Sequence, residues 1–180
     1  MKYIAIFLVF LYLNTSSYSN EWEEVFQLDG IPQGLETPDT NNCYIFTTLG
    51  IENRVYRSND QGKNWKLLYE DFFDEFEIQF GDMISVPDTS NIFCATTSKM
   101  FKSSNGGVSF EKVDLGDIIY FRELKMRTSE VGAMTNIDIR ITKDGWETYK
   151  IFDFDKDSAY FSYYYPRFVN DSILYALACD

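Results

Sequence analysis

Residues 57–65 read RSNDQGKNW, residues 102–110 read KSSNGGVSF, and residues 141–149 read ITKDGWETY. They align as Ser58-x-Asp60-x-Gly62-x-Asn64-Trp65, Ser103-x-Asn105-x-Gly107-x-Ser109-Phe110 and Thr142-x-Asp144-Gly145-x-x-Thr148-Tyr149. Each runs from a hydroxyl through Asp or Asn and a Gly to a small polar residue and an aromatic. Asp and Asn side chains accept backbone N–H groups two residues on and so hold a turn. Gly takes the left-handed conformation that other residues resist. A hydroxyl at the first position adds another local bond. The aromatic opens the returning strand and offers a large face to bury. Each stretch therefore predicts a tight corner between two antiparallel strands.

The acid positions 60, 105 and 144 are 45 and 39 residues apart. A period of about 40 marks a repeat architecture such as a propeller. The repeat extends beyond the corners. Pro38-Asp39-Thr40-Asn41-Asn42 leads into the apolar Cys43-Tyr44-Ile45-Phe46 and the pair Thr47-Thr48, and Pro87-Asp88-Thr89-Ser90-Asn91 leads into Ile92-Phe93-Cys94-Ala95 and Thr96-Thr97. A short strand then carries each corner at its end, Val55-Tyr56-Arg57 in one case and Met100-Phe101-Lys102 in the other. Residues 130–135 and 137–141 repeat the scheme less cleanly.

The pattern S-x-D-x-G-x-T-W resembles the Asp-box, or BNR repeat, of sialidase-like β-propellers, over roughly residues 35–180. The first copy has Asn64 for Thr, the second has Asn105 for Asp and Phe110 for Trp, and the third moves its Gly forward by one and ends in Tyr149. The resemblance implies an all-β fold of four-stranded antiparallel meander blades, with Ser58, Asp60, Gly62, Trp65, Ser103, Asn105, Gly107, Phe110, Thr142, Asp144, Gly145 and Tyr149 at structural corners on the outer rim. It is similar to the propellers of sortilin-type receptors and photosystem assembly factors, which bind proteins or peptides. The last residues, Asp171 to Asp180, align with the strand that precedes a corner, and no fourth corner follows. Three to four blades and an incomplete ring are expected, since propellers typically close with about 4–8 blades. The expectation is an N-terminal fragment of a longer protein. The alternative is a short complete chain that closes by self-association.

Residues 1–19 have the plan of a secretory signal peptide: Lys2, an apolar run from Tyr3 to Leu13, then small polar residues ending at Ser17 and Ser19. The run is shorter than the ~20 residues that span a bilayer, so no stable membrane span is expected. A buried strand or an uncleaved anchor is the alternative. Residues 20–180 then form the partial propeller. The chain as a whole carries 16 basic and 28 acidic residues; cleavage removes one base and no acid, leaving a net charge of −13. Such a surface repels phosphate backbones, so nucleic acid is excluded as a natural partner. The expected location is outside the cell, in a periplasm or at the cell surface.

The sequence has no His, which removes Ser-His-Asp and Cys-His catalysis and the commonest metal ligand. Three Cys, at 43, 94 and 179, match no zinc spacing. Cys43 and Cys94 lie in apolar runs and read as small core residues. Each corner offers at most one carboxylate, far from the six or more oxygens calcium takes. Asp153-Phe154-Asp155-Lys156-Asp157 begins like a calcium loop, but Ser158 stands where Gly is needed and Tyr164 where the closing Glu belongs. No metal and no cofactor are expected.

Binding residues are sought in two places. Residues 70–77, EDFFDEFE, join the first two blades and contain Phe72 and Phe73. Residues 160–166, YFSYYYP, contain Tyr163 and Tyr164 in the inner strand of a fourth blade. The first, a mixed acidic and aromatic loop, reads as a cation or sugar contact, or else as a solubilising rim with anchoring Phe residues. The second reads as the lining of a glycan groove, or else as packing between blades. Arg122 lies near an inner strand; none of the six Arg residues matches the sialidase arginine triad. No catalytic residue is assigned. The expected function is non-catalytic binding or scaffolding toward a protein, peptide or glycan. The alternative is a secreted glycoside hydrolase with catalytic carboxylates partly on missing blades.

Overall fold

The structure, a computed structural model, describes residues 27–50, 52–72, 83–96, 99–116, 122–135, 138–152 and 162–179. The signal-peptide stretch, Phe73 and the calcium-like residues 153–157 lie outside them. Every regular element among the described residues is a strand. Strands β1 (Ile31–Glu36), β2 (Cys43–Leu49), β3 (Glu52–Ser58) and β4 (Lys66–Phe72) form one antiparallel sheet in chain order. Strands β5 (Ile84–Ser85), β6 (Ile92–Ala95), β7 (Met100–Ser103) and β8 (Glu111–Val113) form a second. Strands β9 (Glu123–Met126), β10 (Gly132–Thr135), β11 (Ile139–Thr142) and β12 (Lys150–Phe152) form a third. A hairpin of β13 (Ser162–Asn170) and β14 (Ile173–Cys179) follows. The three meanders are the expected blades, the hairpin supplies the first two strands of a fourth, and the described strands do not close a ring.

The second strand of each blade explains the apolar runs. β6 and β10 are buried at every residue and β2 at all but its last; β6 and β10 each lie between two neighbouring sheets, and β2 packs against the second. One face of β2, with Tyr44 and Phe46, joins Ile84, Ile92, Met100, Leu124, Met134 and Trp146 in one core that runs through all three blades. Cys43 and Cys94 are buried free thiols within these strands, as small apolar residues would be.

The corners keep one register. Ser58 pairs with Cys43, Ser103 with Ile92 and Thr142 with Gly132, so the hydroxyl always ends the third strand opposite the start of the second. Ser58 Oγ donates to Asp60 Oδ1 (2.8 Å) and accepts from the Gly62 N–H (2.8 Å). Asp60 Oδ1 accepts from the Asn64 N–H (2.9 Å) and Oδ2 from Asn64 Nδ2 (2.6 Å). Ser103, Asn105, Gly107 and Ser109 repeat these bonds, as do Thr142, Asp144, Trp146 and Thr148. Trp65 Nε1 closes the first corner by donating to the Gly62 carbonyl (2.9 Å).

Two consecutive residues in each corner are left-handed, which makes it broader than a two-residue hairpin turn. They are Gln61 and Gly62 (φ 64° and 84°), Gly106 and Gly107 (69° and 85°), and Gly145 and Trp146 (68° and 71°). This accounts for the displaced Gly of the third corner: Gly145 fills the first left-handed position, and Trp146 takes the second while its indole fills the core. A second repeated turn joins the first two strands of each blade. Asp39 accepts the N–H groups of Asn41 and Asn42, Asp88 those of Ser90 and Asn91, and Thr128 those of Glu130 and Val131. Each corner docks on that turn through Gln61, Gly106 or Gly145, whose N–H reaches the Asn41, Ser90 or Glu130 carbonyl.

Candidate functional site

The innermost strands lie in a row, β1 beside β5, β5 beside β9 and β9 beside β13. Each is hooked to the next. The Met83 N–H donates to the Gln33 carbonyl (3.2 Å), the Met126 N–H to Ser85 Oγ (2.9 Å), and the Tyr165 N–H to Glu123 Oε2 (2.7 Å). Lys125 also reaches past the second blade to Glu36 Oε1 (2.6 Å).

The row has two different ends. At one lie the corners and the Asp39, Asp88 and Thr128 turns, whose polar groups are spent on one another. Asp60 shows the result. Hydrogen bonds from the Asn64 side chain and backbone and from Ser58 hold its carboxyl at about 2, well below the usual range. Asp144 is lowered in the same way, first by the Thr148 hydroxyl and N–H, and Asp39 by the N–H groups of Asn41 and Asn42. Those three carboxylates have ligands already, and they are backbone and side-chain N–H and O–H groups. No group of three or more metal-ligating side chains occurs among the described residues.

The opposite end collects the strand starts of β1, β5, β9 and β13. Phe72 ends β4 there, Arg122 directly precedes β9, and Tyr163 and Tyr164 open β13. The topology thus brings Phe72, Arg122, Tyr163 and Tyr164 to one end of the blades. Arg122 is half-buried, and its N–H donates to the Thr135 carbonyl (3.0 Å). Beside it stands Glu123, which the sequence reading did not select and which is 6% exposed. Its signal was present. Arg122, Glu123 and Lys125 interrupt an otherwise apolar inner strand, and a buried carboxylate is kept only where it is paired. Gln33, the polar residue facing inward on β1, donates through Nε2 to Thr48 Oγ1 (3.0 Å). Glu36, the remaining acid on a described inner strand, lies at the corner end in its pair with Lys125. Hence Glu123 is the one inner-strand carboxylate at the open end among the described residues.

No protein-family model and no curated protein matches the sequence. Solved structures do. An 82% share of this chain superposes on 26% of the GH74 enzyme of Niastella koreensis, with a TM-score of 0.62 and 18% identity. A 68% share superposes on 39% of YCF48 bound to a D1 peptide, with a TM-score of 0.56 and 16% identity. A 74% share superposes on 52% of a chain of the nidogen/laminin complex, with a TM-score of 0.56 and 13% identity. These neighbours are β-propellers, and the chain has the propeller fold. It spans roughly a quarter to a half of their lengths. No helix long and apolar enough to cross a membrane occurs among the described residues.

Proposed function

We propose that this chain is an exported Asp-box propeller whose open end binds a peptide segment of a protein partner. The observation that carries the reading is the division between the two ends of the blades. Corner carboxylates are saturated internally, whereas the opposite end gathers the half-buried Arg122 and the strand ends that carry Phe72, Tyr163 and Tyr164, with Glu123 hooking two inner strands together there. A half-buried arginine at an end where aromatic residues also fall in the chain suits a peptide with charged groups and apolar side chains. The likeness to a peptide-bound propeller supports this choice. Three hydroxyl–Asp/Asn–Gly–aromatic corners of one geometry support the Asp-box assignment, and residues 1–19 support export.

The second reading, a glycoside hydrolase, is favoured by the coverage of the GH74 likeness. It needs a second carboxylate facing Glu123 across the opening. The described inner strands supply none, which is why binding is preferred. A peptide-display selection against the purified chain, run beside turnover assays on a panel of β-glucans, tests the choice. Binding weakened at least tenfold by Arg122→Ala, with unchanged melting temperature and no turnover, is expected. Glycan turnover abolished by Glu123→Gln would replace this reading with the second.

A further inference from the structure

We propose that Asn170 is an acceptor for an N-linked glycan, an inference that rests on the export reading above. Asn170-Asp171-Ser172 is an Asn-x-Ser triplet with a middle residue other than Pro. The other such triplet, Asn14-Thr15-Ser16, lies within the proposed signal peptide and would leave with it. Asn170 is the last residue of β13 and pairs with Ile173, so the triplet forms the tip of the β13–β14 hairpin. All three of its residues are exposed. A bulky polar chain attached there meets solvent and displaces no packed group.

In the folded chain the side chain holds its turn through the oxygen alone. Asn170 Oδ1 accepts the Ser172 N–H (2.9 Å) in an Asx turn. Its Nδ2, the atom that carries a glycan, makes no hydrogen bond among the described residues. The other three turns at this position do the same holding work with Asp39, Asp88 and Thr128. Holding the turn therefore does not require Asn, and it does not require a hydroxyl two residues later. The fourth turn has both.

The donor class is an oligosaccharide linked through its anomeric carbon to a lipid pyrophosphate. The bond from that carbon to the phosphate oxygen breaks, the bond to Nδ2 forms, the pyrophosphate leaves as an anion, and one amide proton passes to the transferase's base. Nothing is oxidised or reduced. The glycan would stand at the corner end, away from Arg122 and Glu123, beside the exposed side chains of Val169, Ile173 and Tyr175.

The test is translation of the full chain into endoplasmic-reticulum microsomes, in parallel with a chain whose residues 1–19 are replaced by a leader of proven translocation. Protease protection reports entry. Mobility before and after a glycan-releasing amidase, with conversion of Asn170 to Asp read by mass spectrometry, reports modification. The expected result is one amidase-sensitive glycan, lost in Asn170→Gln and Ser172→Ala and kept in Ser172→Thr. Acceptor transfer occurs on the entering chain, so a variant that folds poorly still reports. A protected leader-replaced chain with unmodified Asn170 overturns the proposal. Glycosylation of that chain beside a native chain that stays protease-sensitive upholds the site and overturns export.

Discussion

Replacing Gly107 by Ala separates two costs that glycine avoids at a blade corner. Gly107 has φ 85°, and a Cβ there would stand 2.5 Å from Leu68 Cδ1 and 3.3 Å from Ile92 Cδ1. Leu68 belongs to β4 of the first blade, so the added methyl pushes one blade against the next. Gly50 is the control: it has φ 63°, and a Cβ there meets nothing within 4 Å. Gly50→Ala should cost only the left-handed strain of an L-residue, about 1–2 kcal/mol. Gly107→Ala should add overpacking of about 1–3 kcal/mol, for a total of about 2–5 kcal/mol. Leu68 is half-buried and can turn aside, so truncating it should return the overpacking share. The cost of Gly107→Ala measured in a Leu68→Ala background should fall toward that of Gly50→Ala, a coupling of about 1–3 kcal/mol. Urea unfolding followed by tryptophan fluorescence gives these differences from midpoints at constant slope. If Gly107→Ala costs no more than Gly50→Ala, with no coupling to Leu68→Ala, the added methyl does not press the first blade against the second.

Three further outcomes follow from the corners. The Asp60 carboxyl is depressed to about 2 in the folded chain, against about 4 when unfolded. A depressed folded value means stability that is full above pH ~4 and is lost as pH falls toward ~2, so Asp60→Asn should flatten that limb of a melting-temperature profile. A variant retaining the wild-type slope there would refute the bonding. Ser103→Ala removes the buried acceptor of the Gly107 N–H (2.9 Å), and leaving that donor unpaired should lower stability by about 1–3 kcal/mol in the same urea assay. Trp146→Gly relieves a left-handed residue worth about 1–2 kcal/mol but empties a core position worth about 3–5 kcal/mol. Net destabilisation with loss of near-ultraviolet dichroism is therefore expected, and a gain in melting temperature would show that Trp146 is held there by strain alone.

What could be read from the sequence follows from the range of the bonds involved. The corner bonds join residues two to four apart, from Ser58 to Asp60 and Gly62 and from Asp60 to Asn64, so a short pattern records them completely. The Asp39 and Asp88 turns were visible for the same reason. Their counterpart at Thr128 was not, because a hydroxyl replaces the carboxylate and no Pro precedes it. The hooks between inner strands join residues 41, 42 and 50 positions apart, and Lys125 finds Glu36 across 89, distances over which no local pattern carries information. Glu123 falls between these cases. Its charge in an apolar strand could be seen, but its acceptance of the Tyr165 N–H depends on where β13 crosses β9. The displaced Gly of the third corner could be seen as an oddity and became intelligible only with two adjacent left-handed residues in view.

The second corner shows why recognition belongs at the other end. Asn105 stands where Asp60 and Asp144 stand. It accepts the Ser109 N–H (3.0 Å) as Asp60 accepts that of Asn64, and its Nδ2 donates to Ser109 Oγ (2.8 Å). A neutral amide therefore does the work of the carboxylate, and negative charge is not what the position requires. A ligand drawn to charged corners would find one of the three without charge. A cation would also have to displace the Ser58 and Asn64 donors from Asp60, giving up bonds to a charged acceptor worth about 1.5–3 kcal/mol each. The open end lies away from the corner bonds. Arg122 and Glu123 stand at the start of β9, where the Arg122 N–H bonds to β10 of its own blade and Glu123 hooks β13, so a ligand at Arg122 leaves the bonds that hold the corners in place.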